Sequence, residues 1–120
     1  MPVGTDILEI RRIEKCLLNP RFVQRVFSLE EQAFLAQRNF NSATVTGSFC
    51  AKEAFAKAVG TGFRGFSFRE ISVLRDEKGA PFIRLEGNAR TLFGEKLNSA
   101  AVSVSISHCR EYATAVVLIL

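Results

Sequence analysis

Apolar positions recur along this chain with two periods, and the switches between them outline the secondary structure. Val3, Thr5 and Ile7 alternate with smaller or polar residues, which predicts a short N-terminal strand. Ile7, Ile10, Ile13 and Leu17 then repeat at helical spacing, so the chain is expected to turn into a helix. Asn19–Pro20 is a helix start signal, and Phe22, Val23, Val26 and Phe27 form the next apolar stripe, with Arg21 and Arg25 on other faces. Ser28-Leu29-Glu30-Glu31 reads as a capping box that opens a helix carrying Leu29, Ala33, Phe34 and Leu35. The polar stretch 38–46 is expected to be a loop.

Ala51, Ala54, Phe55, Ala58 and Val59 mark the buried side of a further helix, with Gly60 where a C-capping glycine belongs. Ile71-Ser72-Val73-Leu74 and Phe82-Ile83-Arg84-Leu85 predict strands joined by the turn Asp76-Glu77-Lys78-Gly79. Residues 88–97 favour a helix. Val102, Val104 and Ile106 alternate strictly with Ser103, Ser105 and Ser107, the pattern of a half-buried strand. A turn at His108-Cys109-Arg110-Glu111 leads into the β-rich segment Ala113 to Leu120. The order is β-α-α-α-β-β-α-β-β. It argues for an α+β fold in which an antiparallel sheet packs against helices.

Composition adds bounds. The 120 residues fit one domain, 1–120, and 48% hydrophobic with 23% charged residues is an ordinary globular balance. A chain this small buries a modest share of its surface, so oligomer formation would help it. No charged-then-apolar leader is visible, and the longest apolar run, Ala115 to Leu120, is too short to span a bilayer. Cys16, Cys50 and Cys109 are odd in number and form no CxxC, which predicts reduced thiols in the cytoplasm. Net charge is +4, and between residues 11 and 25 Arg11, Arg12, Lys15, Arg21 and Arg25 face Glu14 alone. That cluster is either a solvated helical face or a docking face for an acidic partner. No KH loop or RNP aromatics support RNA as that partner.

The catalytic inventory is short. His108 is the only histidine, and no GxSxG elbow accompanies Ser105, Ser107 and Asp6, so a Ser-His-Asp hydrolase is disfavoured. Gly60-Thr61-Gly62 lacks the rest of a Walker A or GxGxxG motif. Phe49, Glu53 and Lys57 share a helical stripe. Glu53 is then either a surface partner of Lys57 or a cation ligand awaiting a second oxygen donor. Asp6, after Gly4-Thr5, is a candidate for that donor and equally a candidate N-cap. Two carboxylates completed by phosphate oxygens and water suit Mg²⁺. Lys52, Lys57 and the backbone N–H groups of Gly60, Thr61 and Gly62 would then hold phosphate.

Four blocks together resemble the holo-[acyl-carrier-protein] synthase family of small phosphopantetheinyl transferases: "GTDILEIRRIE" (4–14), "RFVQRVFSLEE" (21–31), "FCAKEAFAKAVGTG" (49–62) and "VSVSISHCREYATAVV" (102–117). "EISVLRDEKGAPFIRL" has the family's hairpin pattern between them. The resemblance implies transfer of the 4′-phosphopantetheine arm of coenzyme A to a serine of an apo acyl carrier protein, leaving adenosine 3′,5′-bisphosphate. It implies that Asp6 and Glu53 bind Mg²⁺ with the pyrophosphate and that Lys57 contacts phosphate at the reacting centre. Lys52 and His108 would be coenzyme A contacts, His108 alternatively a plain hairpin residue. Gly60, Thr61 and Gly62 would let backbone approach the nucleotide. Arg12, Arg21 and Arg25, with Phe22, would form the carrier-docking face. The family also implies a homotrimer with sites between subunits. Ser48 departs from the family's common arginine and Cys50 from a common alanine. The rival reading is a non-catalytic module that docks acidic proteins through residues 11–25.

Overall fold

The computed structural model describes residues 2–94 and 101–120. Strand β1 (Val3–Glu9) runs into α1 (Ile10–Leu17), α2 (Arg21–Val26), α3 (Leu29–Gln37) and the long α4 (Ser42–Val59). A 3-10 turn (Phe68–Glu70) precedes the hairpin β2 (Ile71–Arg75) and β3 (Pro81–Leu85). Helix α5 (Gly87–Phe93) and the hairpin β4 (Val102–His108) and β5 (Tyr112–Ile119) complete the chain. The architecture is the expected α+β fold of antiparallel strands against helices. Among the described residues it holds two sheets, β1-β5-β4 and β2-β3, with every pairing antiparallel. The helical block has four helices, matching the four apolar stripes the sequence shows before the hairpin, one more than the expected order counts.

Local signals explain most boundaries. Ser28 accepts from the Glu31 N–H while the Glu31 carboxylate accepts from the Ser28 N–H, so the capping box is closed. Gly60 ends α4 with φ 83°, the left-handed cap that favours glycine. On β4, Val102 is buried, Val104 and Ile106 are half-buried, and the intervening serines are exposed, as alternation predicts.

Two boundaries differ from expectation. Ile7 belongs to β1 and is 64% exposed, and the helix opens only at Ile10. The expected loop 38–46 is cut short at Asn41, whose Oδ1 accepts from the N–H groups of Ala43 (3.0 Å) and Thr44 (3.2 Å). Ser42, Thr44 and Thr46 are helical despite their polarity because tertiary burial overrides propensity: Val45, Thr46, Gly47 and Ser48 are all buried. The expected helix 88–97 is observed as α5; its positions 95–97 lie outside the described residues.

Helix α4 is buried on nearly all sides. One core cluster joins Ala51, Ala54, Phe55 and Ala58 to Ile71, Val73, Ile83, Ala115 and Val117; the other joins Val45 to Ile13, Val26, Phe27 and Leu35. Small residues let the helix lie directly on the first sheet. A Cβ on Gly4 would stand 1.9 Å from the Ala54 carbonyl oxygen and 2.6 Å from the Ala58 nitrogen. This contact sets α4 against β1 and so positions the site.

Candidate active site

The crossing of β1 and α4 brings Asp6 to Glu53 and Lys57. Asp6 sits mid-strand opposite Ala115, and α1 is capped at Glu9, so the N-cap alternative for Asp6 is excluded. The Lys57 ammonium passes over its helical neighbour Glu53 and donates to Asp6 Oδ1 (3.1 Å) and the Thr5 carbonyl (3.0 Å). The simple Glu53–Lys57 surface pair is therefore not what forms. Glu53 is half-buried, and its pKa is raised, first by burial and then by the negative charge of Asp6, with Lys57 opposing. Behind them the buried Cys50 thiol lies 3.6 Å from the Ala113 carbonyl; burial, then the charge and hydrogen bonding of Asp6, push it up to about 12, so it stays protonated.

Two carboxylates thus face one lysine, which leaves an unbalanced negative charge in a partly desolvated corner. That donor set fits a hard divalent cation. No group of three or more His, Cys, Asp or Glu suited to a metal occurs among the described residues. The remaining ligands would have to be substrate oxygens and water, the usual condition for Mg²⁺. The Lys57 side chain is 55% exposed, so its ammonium is open to solvent beside Asp6. Gly60, Thr61 and Gly62 follow directly and are exposed. Gly60 and Gly62 have φ of 83° and 60° and no atom within 4 Å of an added Cβ, so glycine serves the left-handed turn there.

Lys52 is corrected by the structure. Its side chain is fully buried, and its ammonium donates to Glu31 Oε1 (2.5 Å), the Phe68 carbonyl (2.8 Å) and the Ile71 carbonyl (2.6 Å). All three donors are used, so none remains for coenzyme A. Glu31 also accepts from the N–H groups of Ser28 (2.9 Å) and Val73 (3.0 Å). Burial pulls Lys52 down to about 8 and pushes Glu31 up, against their mutual attraction. The pair ties α3, α4 and β2 together. Lys52→Met should cost about 3 kcal/mol in denaturant unfolding, because it leaves Glu31 buried without a counterion. Adding Glu31→Leu should recover part of that loss; an unaltered midpoint in the single variant would refute the account.

His108 ends β4 and is exposed, beside a cleft bordered by Thr44 at the start of α4. From Thr44 to Lys57 the helix rises about 20 Å, at 1.5 Å per residue. Glu53 itself lies nine residues beyond Thr44, a rise of about 14 Å, and His108 and Asp6 flank β5 at Ala113 and Ala115, so within one chain His108 is separated from the carboxylate cluster but not at the far end of the molecule. Arg12, Arg21 and Arg25 are exposed and have no ion-pair partner among the described residues. Phe22 is half-buried, packed edge-on against Phe27 (6.2 Å between centroids) and beside Phe49 (6.2 Å), so only part of its ring is presented. Spacing did not reveal Glu31, since a capping-box glutamate ordinarily faces solvent; here both of its oxygens point inward.

The chain is similar to known proteins in both sequence and fold. The family model of the 4′-phosphopantetheinyl transferase superfamily matches residues 2–117. A holo-[acyl-carrier-protein] synthase of Clostridium botulinum is 43% identical over 118 residues, covering 98% of this chain and 94% of that protein. One from Fusobacterium nucleatum is 36% identical, covering 98% and 97%. The structure is similar to the Neisseria meningitidis enzyme (TM-score 0.88, 32% identity, 99% of this chain and 97% of that one). It is also similar to the Helicobacter pylori enzyme solved with coenzyme A (TM-score 0.84, 34% identity, 98% and 99%). A full-length match in both sequence and fold places this chain in the 4′-phosphopantetheinyl transferase superfamily.

Proposed function

We propose that this enzyme transfers the 4′-phosphopantetheine arm of coenzyme A to a serine of an apo acyl carrier protein, releasing adenosine 3′,5′-bisphosphate, and that it requires Mg²⁺. The observation that carries the reading is the convergence of Asp6, Glu53 and Lys57 where β1 crosses α4. Asp6 and Glu53 would hold the cation beside the pyrophosphate. Bound there, Mg²⁺ would withdraw charge from the phosphate oxygens. Lys57 would leave Asp6 and pair with a phosphate oxygen at the reacting phosphorus. The serine oxygen forms the new P–O bond as the bond to the bridging oxygen breaks, and the electron pair departs on the nucleotide. The serine proton needs an acceptor, and Asp6 and Glu53 are the carboxylates within reach. Positioning and charge neutralisation do the work, without a covalent enzyme intermediate.

Apo carrier protein incubated with coenzyme A and this enzyme should gain the mass of the arm. Chelation should stop the reaction and added Mg²⁺ should restore it. Transfer that is indifferent to chelator would refute the metal requirement. Carrier binding without any transfer would favour the rival docking module. In the same assay, Arg21→Glu with Arg25→Glu should raise the KM for the carrier about tenfold or more at low salt, with less effect at high salt. An unchanged KM would remove these residues from the docking face.

A homotrimer belongs to the same reading. Val3, Ile7 and Val116 are 58%, 64% and 41% exposed on β1 and β5, an apolar sheet face that a neighbouring copy would cover. Light scattering should give three times the chain mass of 13.3 kDa; the monomer mass at assay concentration would overturn it. Among the described residues no helix is long and apolar enough to cross a membrane. The proposed setting is the cytoplasm, where both substrates are soluble.

A further inference from the structure

The Cys50 thiol has no role in the site described above, although it lies directly behind it. On α4, Cys50 precedes Glu53 by three residues and Lys57 by seven, so the three side chains share one helical face. That face rests on the sheet where Asp6 of β1 stands opposite Ala115 of β5, and Ala115 belongs to the same core cluster as Cys50. The thiol is fully buried, 3.6 Å from the Ala113 carbonyl oxygen and within hydrogen-bonding reach of the Asp6 carboxylate. It has one proton and two acceptors. Burial and the charge of Asp6 keep that proton on sulfur. Hydrogen bonds to an ionised oxygen are roughly twice as strong as those to a neutral carbonyl, so the carboxylate is the favoured acceptor.

Asp6 has few other holds. Its backbone carbonyl accepts from the Thr114 hydroxyl (2.8 Å), but that fixes the strand and not the side chain. Its carboxylate takes the Lys57 ammonium, and among the described residues Lys57 and Cys50 are the side chains that donate to it. Lys57 is the partner that the proposed transfer calls away to phosphate. Asp6 then needs another donor if its oxygens are to stay aimed at the space it shares with Glu53. We infer that Cys50 is a positioning residue, whose S–H donates to the Asp6 carboxylate and holds it in the orientation in which Asp6 and Glu53 grip one cation together. This rests on the transferase reading and adds to it a residue that sets how well the cation is held. Solvent does not reach position 50, so bulk water would not take over as donor on that side once the sulfur is gone. Cys50 stands where the family that this chain resembles commonly has alanine, so the hold is one that this chain adds.

The test compares the unaltered protein with Cys50→Ala and Cys50→Ser. The probe is Mn²⁺ alone, without coenzyme A, titrated by loss of the free-ion paramagnetic signal. Groups that orient a metal ligand commonly govern roughly 10–100-fold in affinity, and S–H is a weak donor. Alanine should therefore raise the Kd for Mn²⁺ by about fivefold, whereas serine, which keeps a donor in place, should stay within about twofold. The Mg²⁺ concentration that half-saturates transfer should rise in parallel, with little change in transfer at saturating metal. An unchanged Mn²⁺ affinity in Cys50→Ala overturns the inference. Equal weakening in both variants overturns it too, because that reports packing and not the donor. The S–H stretching band in Raman spectra reads the bond itself in metal-free protein, and it needs no serine variant. Subtracting the Cys50→Ala spectrum separates Cys50 from Cys16 and Cys109. The Cys50 band should lie at the lowered frequency of a bonded thiol and move up in Asp6→Ala. A band that Asp6→Ala leaves in place means that the proton goes to the Ala113 carbonyl, and the inference falls. If even the unaltered protein binds no Mn²⁺ and transfers nothing, it is the metal reading that fails, and the Raman band still decides whether the thiol holds Asp6.

Discussion

Glu53→Gln should lower transfer by about 10³-fold or more while leaving the fold intact. The amide keeps the shape of the side chain and removes its charge. A hard cation held by Asp6 alone would be bound weakly and placed poorly against the pyrophosphate. The stability side of the expectation follows from the surroundings of Glu53. It takes no hydrogen bond among the described residues, and both burial and Asp6 disfavour its charge. A neutral amide relieves those penalties, so the melting temperature in metal-free buffer should be equal or higher. Loss of activity with retained or increased stability is the signature of a residue kept for chemistry. Mass-spectrometric transfer assays and thermal melts on the same preparation check both halves. A Gln variant with near-normal turnover would remove Glu53 from the metal site.

Gly4→Ala should be the most destabilising single-methyl change in the protein. The new Cβ would overlap the Ala54 carbonyl oxygen and crowd the Ala58 nitrogen, at 1.9 and 2.6 Å. Both are backbone atoms of a helix buried on nearly every side, so neither can rotate away. The helix must lift from β1, loosening the contacts that Ala54 and Ala58 make in the larger core cluster. A loss above about 4 kcal/mol is expected, against a total stability of roughly 5–15 kcal/mol for a domain. The melting temperature should fall by about 15 °C or more, or the protein should become insoluble. Glu53 and Lys57 immediately precede the two residues that clash. Any soluble remainder should therefore transfer poorly, because lifting α4 withdraws both side chains from Asp6. Thr5→Ala, at the next, exposed position, should be close to neutral. A Gly4→Ala protein with an unchanged melt would mean that β1 and α4 do not approach this closely.

Features that depend on residues a few positions apart were legible in the chain itself. The Ser28–Glu31 capping box, the Gly60 cap and the valine–serine alternation of β4 all hold in the structure. Each depends on contacts within one element, whose period the sequence carries directly. The α+β class followed from the order of those elements. The residue types for cation and phosphate chemistry were legible too, through the blocks that carry Asp6, Glu53 and Lys57.

Which of those residues meet was decided by tertiary packing. Lys52 and Lys57 share one helix, yet Lys52 is buried against Glu31 and Lys57 reaches Asp6. Spacing could not separate them, because α4 is enclosed on nearly all sides and its two faces meet different partners. The 42–46 stretch looked like a loop for a related reason: its polar residues are helical because neighbouring elements cover that end of α4. Arg38 and Arg75 both lie over the Phe34 ring, and they come from a helix end and a hairpin that no local pattern connects. The sequence by itself set the elements and the chemical repertoire, since both reside in local order. The pairing of side chains into sites required the three-dimensional arrangement, since it depends on how closely β1, α3, α4 and the hairpins can approach, and residues such as Gly4 set that limit.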